Sequence, residues 1–457
     1  MKFFIFLLSS SFFYSQSIPI EHNQFKLYDL RLDRGLNWEK NSMLYGPRWQ
    51  DFKVEDQNSD SIISSIDIFN FNAVNENQIN SGFGISIRTS FYKHFYTSLY
   101  ARFANKKNAF DRYSGIPRKT KRFGLSTGEV DISGFGFDND KFNFEMGRGR
   151  LGIGAGDTDI QLSLNQEGPS YDYLSFGVNI TSWRLRFMNG YLETKNNVNR
   201  YISVRSIEKI LKKNLLISFS ETVVYSGENR PLDFAYLNPI STHLEIELND
   251  RQNLSGTASG NAIWETSLDW FINKRSRLSI NIIIDEFVLD KVQLDQGKIH
   301  SMGGALRFCT KPILDIPNTV MYLSIVNTGT YLYRHENGYN NFVQRGNLLG
   351  YEEGNDLKKI SLGLTSFDLG AISYKLELSS TLVGESSILN DLYHPYSGQI
   401  VGTGKFPSGK NKRRNVLLFS YCKNISGLIS YNIETKIIKE NNRYNTHLNI
   451  NYIFKYK

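Results

Sequence analysis

The sequence predicts an all-β fold, a transmembrane antiparallel β-barrel of about 18 strands preceded by a short N-terminal element. Apolar and polar residues alternate with a period of two along much of the chain, as they do in strands that have two different faces. Short and long polar breaks also alternate between these segments. The length of 457 residues permits two or three soluble domains, but the periodic pattern favours one large closed β-structure.

The composition excludes several other classes of protein. Charged residues make up 21% and aromatic residues 14% of the chain, which leaves too much apolar material for a disordered protein. The 53 Lys and Arg residues exceed the 45 Asp and Glu residues by eight, but the excess is spread along the chain, so no nucleic-acid partner is expected. Cys309 and Cys422 are far apart and predict neither a disulfide framework nor a zinc site.

The first residues resemble an export signal. Residues 1–15 read MKFFIFLLSSSFFYS, a single Lys followed by an apolar run and small residues. The run is too short to cross about 30 Å of hydrocarbon, which takes about 20 apolar residues. We therefore expect a secretory signal peptide that is cleaved near Ser15. No later apolar stretch is long enough for a transmembrane helix, so a membrane location requires a β-barrel.

Residues 16–61 form a separate segment before the barrel. Its apolar residues, Leu27, Leu30, Leu32, Leu36 and Trp38, stand among charges without sustained alternation. We expect a small periplasmic or plugging element, with a helix as one possible form and a loose arm as the alternative. The barrel itself is predicted to cover residues 62–457.

The clearest strand lies at the C-terminus. Its apolar positions are Leu448, Ile450, Tyr452, Phe454 and Tyr456. Residues 278–284, 372–378 and 429–433 alternate in the same way, and their apolar residues are predicted to face lipid. The residues between them, among them Ser279, Asn281, Lys375, Glu377 and Asn432, are predicted to face a wet interior. On this prediction Ile282→Arg costs about 2 to 4 kcal/mol and Asn281→Arg much less.

The connections give the strand count. Short breaks lie near residues 92–94, 138–140, 181–182, 211–213, 272–276, 311–317, 367–369 and 424–426. Longer ones lie near 105–126, 148–174, 226–260, 328–357 and 383–415. Counted back from a last strand that ends in the periplasm, they give short turns inside and long loops outside, as in outer-membrane barrels.

The first candidate ligand residues lie within a glycine-rich stretch. Residues 146–157 read MGRGRLGIGAGD, but the strand, helix and parallel sheet of a dinucleotide site are not predicted here. Glycines for tight turns in a crowded lumen are the simpler interpretation. Arg148 and Arg150 carry planar guanidinium groups that suit carboxylates and phosphates, so an anionic glycan is a candidate ligand.

Other polar residues in the long connections complete the candidate polysaccharide-binding set. They are Tyr171, Asp172, Asn229, Arg230 and Asn238. In the competing interpretation the arginines are structural and pair with lumenal carboxylates such as Asp157, Asp172 and Glu228. Substitution of the arginines by Gln separates the two interpretations.

The remaining polar residues do not predict an enzyme. Arg205 and Glu221 are expected on neighbouring strands as a structural ion pair in the lumen. His243, Glu245 and Glu247 lack the helical HExxH spacing of a metal site. No GxSxG motif occurs and the seven histidines are scattered, so no catalytic residues, metal or cofactor are predicted.

A resemblance to a known family rests on blocks that occur in a fixed order. They are MGRGRLGIGAGD, SYD, RYISVR, SETVVYSGENRPLDFAYLNP and GNLLGYEEGND, between about residues 142 and 356. This series resembles the capsule-assembly Wzi family, although the short N-terminal region departs from it. The resemblance implies an outer-membrane barrel of a Gram-negative bacterium with a periplasmic helical element. It also implies a lectin-like anchor for capsular or other exported polysaccharide, with outer-membrane lipid and the polysaccharide export machinery as further partners.

Two functions therefore remain in competition. In the first, the outer loops hold polysaccharide at the cell surface. In the second, the same loops constrict the pore of a transport channel. Both require a polar lumen, so polarity does not separate them. The conductance of the protein across planar bilayers separates the two functions.

Overall fold

The computed structural model describes most of the chain from residue 62 onward. The described residues are Asp33, 42–44, 62–75, 78–91, 94–106, 113, 115–121, 124–139, 141–254, 260–286, 295, 300–312, 318–367, 372–395, 405–425, 429–440 and 443–456. Within this part of the chain no helix is both long and apolar enough to cross a membrane. The predicted signal peptide, residues 1–15, lies outside the described residues.

Strands dominate the structure. They are β1 (Ile63–Asn75), β2 (Gln78–Phe91), β3 (Phe95–Ala104), β4 (Thr127–Asp138), β5 (Phe142–Gly149), β6 (Tyr171–Ile180), β7 (Trp183–Lys195), β8 (Val198–Lys212), β9 (Leu215–Glu228), β10 (Gly260–Asn273), β11 (Ser276–Glu286), β12 (Ser301–Thr310), β13 (Thr319–Thr328), β14 (Val343–Gln344), β15 (Asn347–Leu348), β16 (Leu357–Phe367), β17 (Ile372–Val383), β18 (Lys412–Asn424), β19 (Ile429–Glu440) and β20 (Arg443–Tyr456). Two short helices, α1 (Phe234–Leu237) and α2 (His243–Leu248), lie between β9 and β10.

Eighteen of these strands form one closed barrel, and β14 and β15 form a separate small hairpin. Each barrel strand pairs antiparallel with the next, and β1 pairs with β20 from Ile66 opposite Tyr456 to Asn75 opposite His447. Closure leaves no strand edge unpaired, which a membrane-spanning sheet requires. The predicted fold class and the count of about 18 strands are confirmed.

The connections place long loops at one end of the barrel, here called the loop rim, and short turns at the other, the turn rim. Not every connection at the loop rim is long, because β7 and β8 are joined by two residues alone. These residues, Asn196 and Asn197, have φ angles of 52° and 63°. Positive φ at both positions is the geometry of the tightest hairpins, and Asn tolerates it better than most residues.

The two faces of the wall follow the predicted alternation. Ile282 is 52% exposed on the outer face, whereas its neighbour Asn281 is fully buried on the inner face. The prediction that Asn281 faces a wet interior is wrong. Its side-chain amide donates hydrogen bonds to the carbonyls of Ala155, at 2.9 Å, and Ile160, at 2.8 Å. The lumen beside β11 is therefore filled with protein.

Two loops fill this part of the lumen and are called the plug, residues 150–170 and 329–356. Their apolar side chains share one core with inward residues of the wall. The core includes Leu151, Ile153, Ile160, Leu162, Tyr333, Phe342 and Leu349 of the plug and Val204, Val224, Ile263 and Ile283 of the wall. The Tyr333 hydroxyl also donates to the Leu162 carbonyl at 2.7 Å, which ties the two loops together.

The described residues of the N-terminal segment lie inside the barrel. Leu44 forms an antiparallel bridge with Ile153 of the plug. Glu208, on the inner face of β8, accepts hydrogen bonds from the Ser42 hydroxyl and from the amides of Met43 and Leu44. Contacts with the plug and with the inner face of the wall are the contacts expected of an element that plugs the lumen. The rest of residues 16–61 lies outside the described part of the chain.

The two rims give a prediction about orientation. Asn390 is exposed at the loop rim and Lys274 is exposed at the turn rim. If the loop rim faces outward, a Cys at Asn390 reacts with a membrane-impermeant maleimide on intact cells, and a Cys at Lys274 reacts only after the outer membrane is opened. Cys309 and Cys422 are buried, and replacing both with Ala removes background labelling. The reverse pattern of labelling means that the barrel is inserted the other way round.

Candidate functional site

A surface of charged and aromatic side chains lies at the loop rim, above strands β4 to β8. We call it the rim patch and define it by Glu129, Arg148, Asp172, Lys195, Tyr339, Arg345 and Tyr393. Strands β4, β5, β6 and β7 supply the first four residues. Tyr339 and Arg345 come from the plug, and Tyr393 comes from the loop after β17.

A line of alternating charges crosses one half of the rim patch. Arg148 contacts Asp172 at 3.1 Å and Glu129 at 3.0 Å through its two terminal nitrogens. Arg345 reaches the same Glu129 carboxylate at 3.4 Å. Two guanidinium groups thus share one carboxylate, and the Asp172 carboxylate at the end of the line is 57% exposed. The line presents both signs of charge to a ligand.

Aromatic rings form the other half of the rim patch. The ring centroids of Tyr339 and Tyr393 lie 6.5 Å apart. The Lys195 ammonium group lies 3.3 Å from the centroid of the Tyr393 ring, and the Tyr393 hydroxyl donates to Glu193 at 2.5 Å. Rings held in this way have a fixed apolar face beside polar groups, which suits the mixed surface of a sugar.

A buried arginine holds these rings in place. Arg200 donates to the carbonyls of Tyr339, at 2.5 Å, and Asn341, at 2.7 Å. Its third contact is an ion pair with Glu193 at 2.7 Å. Because Glu193 also accepts from Tyr393, one ion pair connects the wall, the plug and the loop after β17. Arg200 positions the aromatic half of the patch and is itself buried.

Two of the sequence-predicted site residues, Arg148 and Asp172, meet in this patch. Both lie on the outer face of the wall, because the exposed Met146 and Leu174 occupy the same side of β5 and β6. The competing interpretation pairs the arginines with lumenal carboxylates such as Asp172. The contact between Arg148 and Asp172 is present, but its placement in the lumen is wrong. The pair is nevertheless at the loop rim, where β5 ends and β6 begins.

Arg150 and Tyr171 point away from this surface. Arg150 donates to Asp131 at 2.8 Å and to the Ser170 hydroxyl at 3.1 Å. Asp131 is the extra residue of a β-bulge in β4 and also pairs with Arg102. Tyr171 is buried in the plug core. Both predicted ligand residues thus contribute to the interior of the barrel.

The other three predicted residues lie in a separate segment, residues 229–254, which we call the flap. Arg230 has no exposed side-chain surface and pairs with Asp233 at 2.8 Å. It also donates to the Ser226 carbonyl at 3.0 Å and to Asn253 at 2.9 Å. Asn229 and Asn238 are exposed on the flap. The predicted set therefore divides between two surfaces.

The predicted pair of Arg205 and Glu221 is present with a distance of 3.1 Å, but it is not lumenal. Both residues share a face with Ile207 and Phe219, which are exposed on the outside of the barrel. The flap covers the pair, and Arg205 donates to the carbonyls of Tyr236 and Asn238 in it. Since the flap buries the outer face of β8 as well, the alternation of exposure disappears between residues 200 and 206.

Five residues of the rim patch are not among the predicted site residues. These are Glu129, Lys195, Tyr339, Arg345 and Tyr393. Glu129 and Arg345 are 216 positions apart in the chain, and no local motif links them. The one signal that the sequence offers is that Tyr339, Arg345 and Tyr393 fall in predicted long connections, where binding residues commonly lie.

A second polar feature is a cavity of about 400 Å³ between the plug and the wall from β16 to β19. Its lining includes Asp159, Arg307, Lys375, Glu377 and Glu353. Burial by itself raises the pKa of Glu353, but the neighbouring Lys359 and Arg414 outweigh it and hold that pKa below the ordinary value. The charges of the lining largely pair with one another, for example Lys375 with Glu377 at 3.2 Å.

The buried Arg230 and the partly exposed Arg148 predict different outcomes for substitution by Gln. Arg230→Gln leaves the buried Asp233 carboxylate without the charge of Arg230 and should lower the free energy of unfolding by about 1 to 3 kcal/mol. The flap should be looser as a result. Arg148→Gln, at a partly exposed pair, should cost less than about 1 kcal/mol. Limited proteolysis of the folded barrels should show faster cleavage within residues 229–254 for Arg230→Gln alone. Equal cleavage of both variants would contradict a structural role for Arg230.

Comparison with known proteins shows the fold. No known protein family and no curated protein matches the sequence. Among solved structures, Wzi of Escherichia coli aligns over 86% of this chain and 84% of its own with a TM-score of 0.59 and 10% identity. It is described as an outer-membrane protein involved in group 1 capsule assembly and as a carbohydrate-binding β-barrel.

Other barrels align over similar lengths. OccD3 of Pseudomonas aeruginosa covers 86% of this chain and 91% of its own, with a TM-score of 0.50 and 8% identity. OprD of the same organism covers 86% and 95%, with a TM-score of 0.48 and 7% identity. At such identities the likeness to Wzi and OccD3 establishes the barrel fold alone, and the resemblance to the Wzi family stays a prediction.

Proposed function

We propose that this protein is an outer-membrane lectin-like barrel. It binds capsular or another exported polysaccharide at the rim patch and attaches it to the cell surface. The observation that carries this proposal is the combination of a plugged lumen with an aromatic and charged surface at the loop rim. A barrel built in this way displays a surface, whereas a channel needs an open path.

The rim patch has the groups that a charged polysaccharide requires. The rings of Tyr339 and Tyr393 offer apolar faces to sugar C–H groups. Arg345 and Lys195 offer charge-assisted hydrogen bonds to sugar carboxylates, worth about 1.5 to 3 kcal/mol each before screening by salt. Asp172 accepts hydrogen bonds from hydroxyl groups. The carbohydrate binding that is described for Wzi of Escherichia coli supports this interpretation.

A transport channel is the second candidate. The cavity of about 400 Å³ beside the plug is the observation that favours it, because its lining is polar and it follows the inner wall. The cavity borders the buried core that joins the plug to the wall from β6 to β16. A solute that passed through this cavity along the inner wall would follow a narrow path. Recording the current across planar bilayers measures directly whether such a path conducts ions.

Removal of both rim tyrosines tests the binding proposal. Aromatic contacts contribute about 0.5 to 1.5 kcal/mol each, so Tyr339→Ala with Tyr393→Ala should weaken polysaccharide binding about tenfold or more. The matched control is Tyr374→Ala with Tyr421→Ala, a ring pair 5.0 Å apart on the outward face of β17 and β18. Surface staining of cells and the amount of polysaccharide shed into the medium measure the effect.

Two results would contradict the proposal. In the first, the rim variant folds normally and retains all surface polysaccharide. In the second, the purified barrel carries a large open-channel current and a plug deletion does not change it. The second result favours the transport channel.

A further inference from the structure

The flap lies against the outside of the barrel wall. Its backbone carbonyls accept hydrogen bonds from outward side chains, since the Tyr236 carbonyl accepts from Ser203 and Arg205, each at 3.0 Å. The His243 amide donates to Glu221 at 3.0 Å. A small core that includes Tyr236 and Ile246 packs against the outward residues Val223 and Ala262. The inward residues of the same strands belong to the plug core.

The covered positions belong to the same band as the lipid-facing residues. Pairing across the strands joins Phe176, Phe187, Arg205, Glu221, Trp264 and Ile284 in one row. Apolar residues flank the Arg205–Glu221 pair on both sides of this row. The pair lies seven residues before the end of β8 at Lys212, which is roughly 18 Å above the turn rim for a rise of about 3.3 Å and a tilt of about 40°.

An apolar band about 25 Å tall would therefore reach this ion pair. A charged pair on the lipid face would be costly at this height. The flap covers the pair, and Trp264 of the neighbouring strand donates to Glu221 at 3.0 Å. At this height, the flap and not the wall therefore forms the outer surface of the protein.

Four large apolar side chains are exposed on the flap beside polar ones such as Asn238 and Arg251. Phe234 is 84% exposed and Ile240 is 86% exposed, and Leu244 and Leu248 of α2 are exposed one turn apart. Large apolar side chains grouped on an exposed surface indicate contact with a partner or a membrane. Directly below the covered Arg205–Glu221 pair, the next outward row of the wall holds the exposed Ile207 and Phe219.

We propose that the outward face of the flap lies in the lipid leaflet at the loop rim, with Phe234, Ile240, Leu244 and Leu248 in contact with acyl chains. Continuity with the lipid-facing band identifies acyl chains as the occupant. The flap forms an interfacial element that extends the apolar band over a charged part of the wall, with its apolar face about 5 to 10 Å below the headgroups. This inference rests on the membrane location in the proposed function and is independent of polysaccharide binding.

Spin labels in proteoliposomes test the location of the flap. A nitroxide is attached to a Cys at Ile240 in a variant in which Cys309 and Cys422 are Ala. Its collision rates with oxygen, which partitions into hydrocarbon, and with a water-soluble nickel chelate are compared. A label at Ile282 is the reference for lipid, and a label at Asn390 is the reference for water. We expect the ratio of oxygen to nickel collisions at Ile240 to match Ile282 and to exceed Asn390 several-fold.

Each other outcome overturns the inference. A ratio like that of Asn390, with Ile282 in lipid, places the flap in water and leaves the proposed function intact. A label at Ile240 that neither reagent reaches, with spin–spin broadening that depends on protein density, identifies a second copy as the occupant. If Ile282 also behaves as in water, the membrane location fails together with this inference.

A charge substitution gives an independent readout. Phe234→Asp with Ile240→Asp places two carboxylates on the outward face and should release the flap in proteoliposomes, so that proteolysis within residues 229–254 becomes several-fold faster. An unfolding assay of the same double variant in proteoliposomes, without detergent, shows whether the barrel remains folded. The control is Leu389→Asp, at an exposed apolar residue of another loop. Unchanged proteolysis of a folded double variant overturns the inference.

Discussion

Replacing Arg277 with Met is expected to lower the free energy of unfolding by about 3 to 5 kcal/mol, the largest effect of any substitution considered for this barrel. Arg277 makes a bidentate contact with Asp269, at 2.9 and 2.7 Å, and a third contact with Asp33 at 2.8 Å. All three side chains are at most 1% exposed. Met retains most of the length of the side chain but leaves two buried carboxylates with one cation fewer.

The remaining cation of this cluster cannot compensate. Arg307 contacts Asp33 at 3.2 Å and Asp159 of the plug at 2.8 Å. It also lies over the Tyr322 ring with 3.7 Å between the guanidinium carbon and the ring centroid. Because these contacts already occupy Arg307, the buried Asp269 carboxylate loses the positive charge of Arg277 in the variant and keeps the hydrogen bond from the Ser279 hydroxyl, at 2.9 Å. The cluster joins the N-terminal segment, the plug and the wall, so its loss should also loosen the plug.

Unfolding in urea, followed by tryptophan fluorescence in detergent micelles, measures the effect. The control is Arg275→Met, the same chemical change two residues away at an exposed position of the turn between β10 and β11. We expect the control to remain within about 0.5 kcal/mol of the natural protein. Equal midpoints for the two variants would show that the buried cluster does not hold the barrel together.

The second large effect is expected on the lipid face. Ile282→Arg places a charge on the outward surface of β11, where the natural side chain is 52% exposed. Near the bilayer midplane such a substitution costs about 2 to 4 kcal/mol. Folding into lipid vesicles, followed by the shift in mobility of unheated protein on a gel, should give a lower folded fraction for this variant.

The control for this experiment comes from the structure. The sequence analysis expects Asn281→Arg to be tolerated, but Asn281 is buried and bonded to the plug, so that substitution should also be costly. Ser379 lines the cavity beside the plug on the inner face of β17, where Arg has room and polar neighbours. Ser379→Arg should fold almost normally. A similar loss of folded barrel for Ile282→Arg and Ser379→Arg would argue against lipid on the outer face of β11.

The rim patch illustrates how far local patterns reach. Arg148 and Asp172 can be predicted from the sequence because both are charged residues in the long glycine-rich connection near residues 148–174. Arg230 is found for a similar reason, yet its guanidinium group is enclosed by Asp233, Asn253 and the Ser226 carbonyl. A charged residue in a long loop therefore has two possible fates, and only the folding of the loop decides between them.

The pair of Arg205 and Glu221 makes the same point for a whole surface. Their adjacency follows from the register of β8 and β9, which the hairpin between them determines. The local sequence does not show whether the pair faces outward or inward. The flap buries the outward surface here, so outward and inward positions are both buried and do not alternate in exposure. The assignment to the lumen is reversed for this reason.

The sequence by itself determines the barrel, since a period of two over many segments specifies strands with one apolar face, and turn residues between them specify antiparallel neighbours. These signals are local, and each lies within a strand of 8 to 15 residues that any tertiary arrangement must respect. The plug, the flap and the rim patch are decided by contacts between distant segments, such as Asn281 with Ala155 and Glu129 with Arg345. Such contacts form only after the wall has closed and brought the loops into one lumen and onto one rim, and their chemistry leaves no periodic trace in the chain.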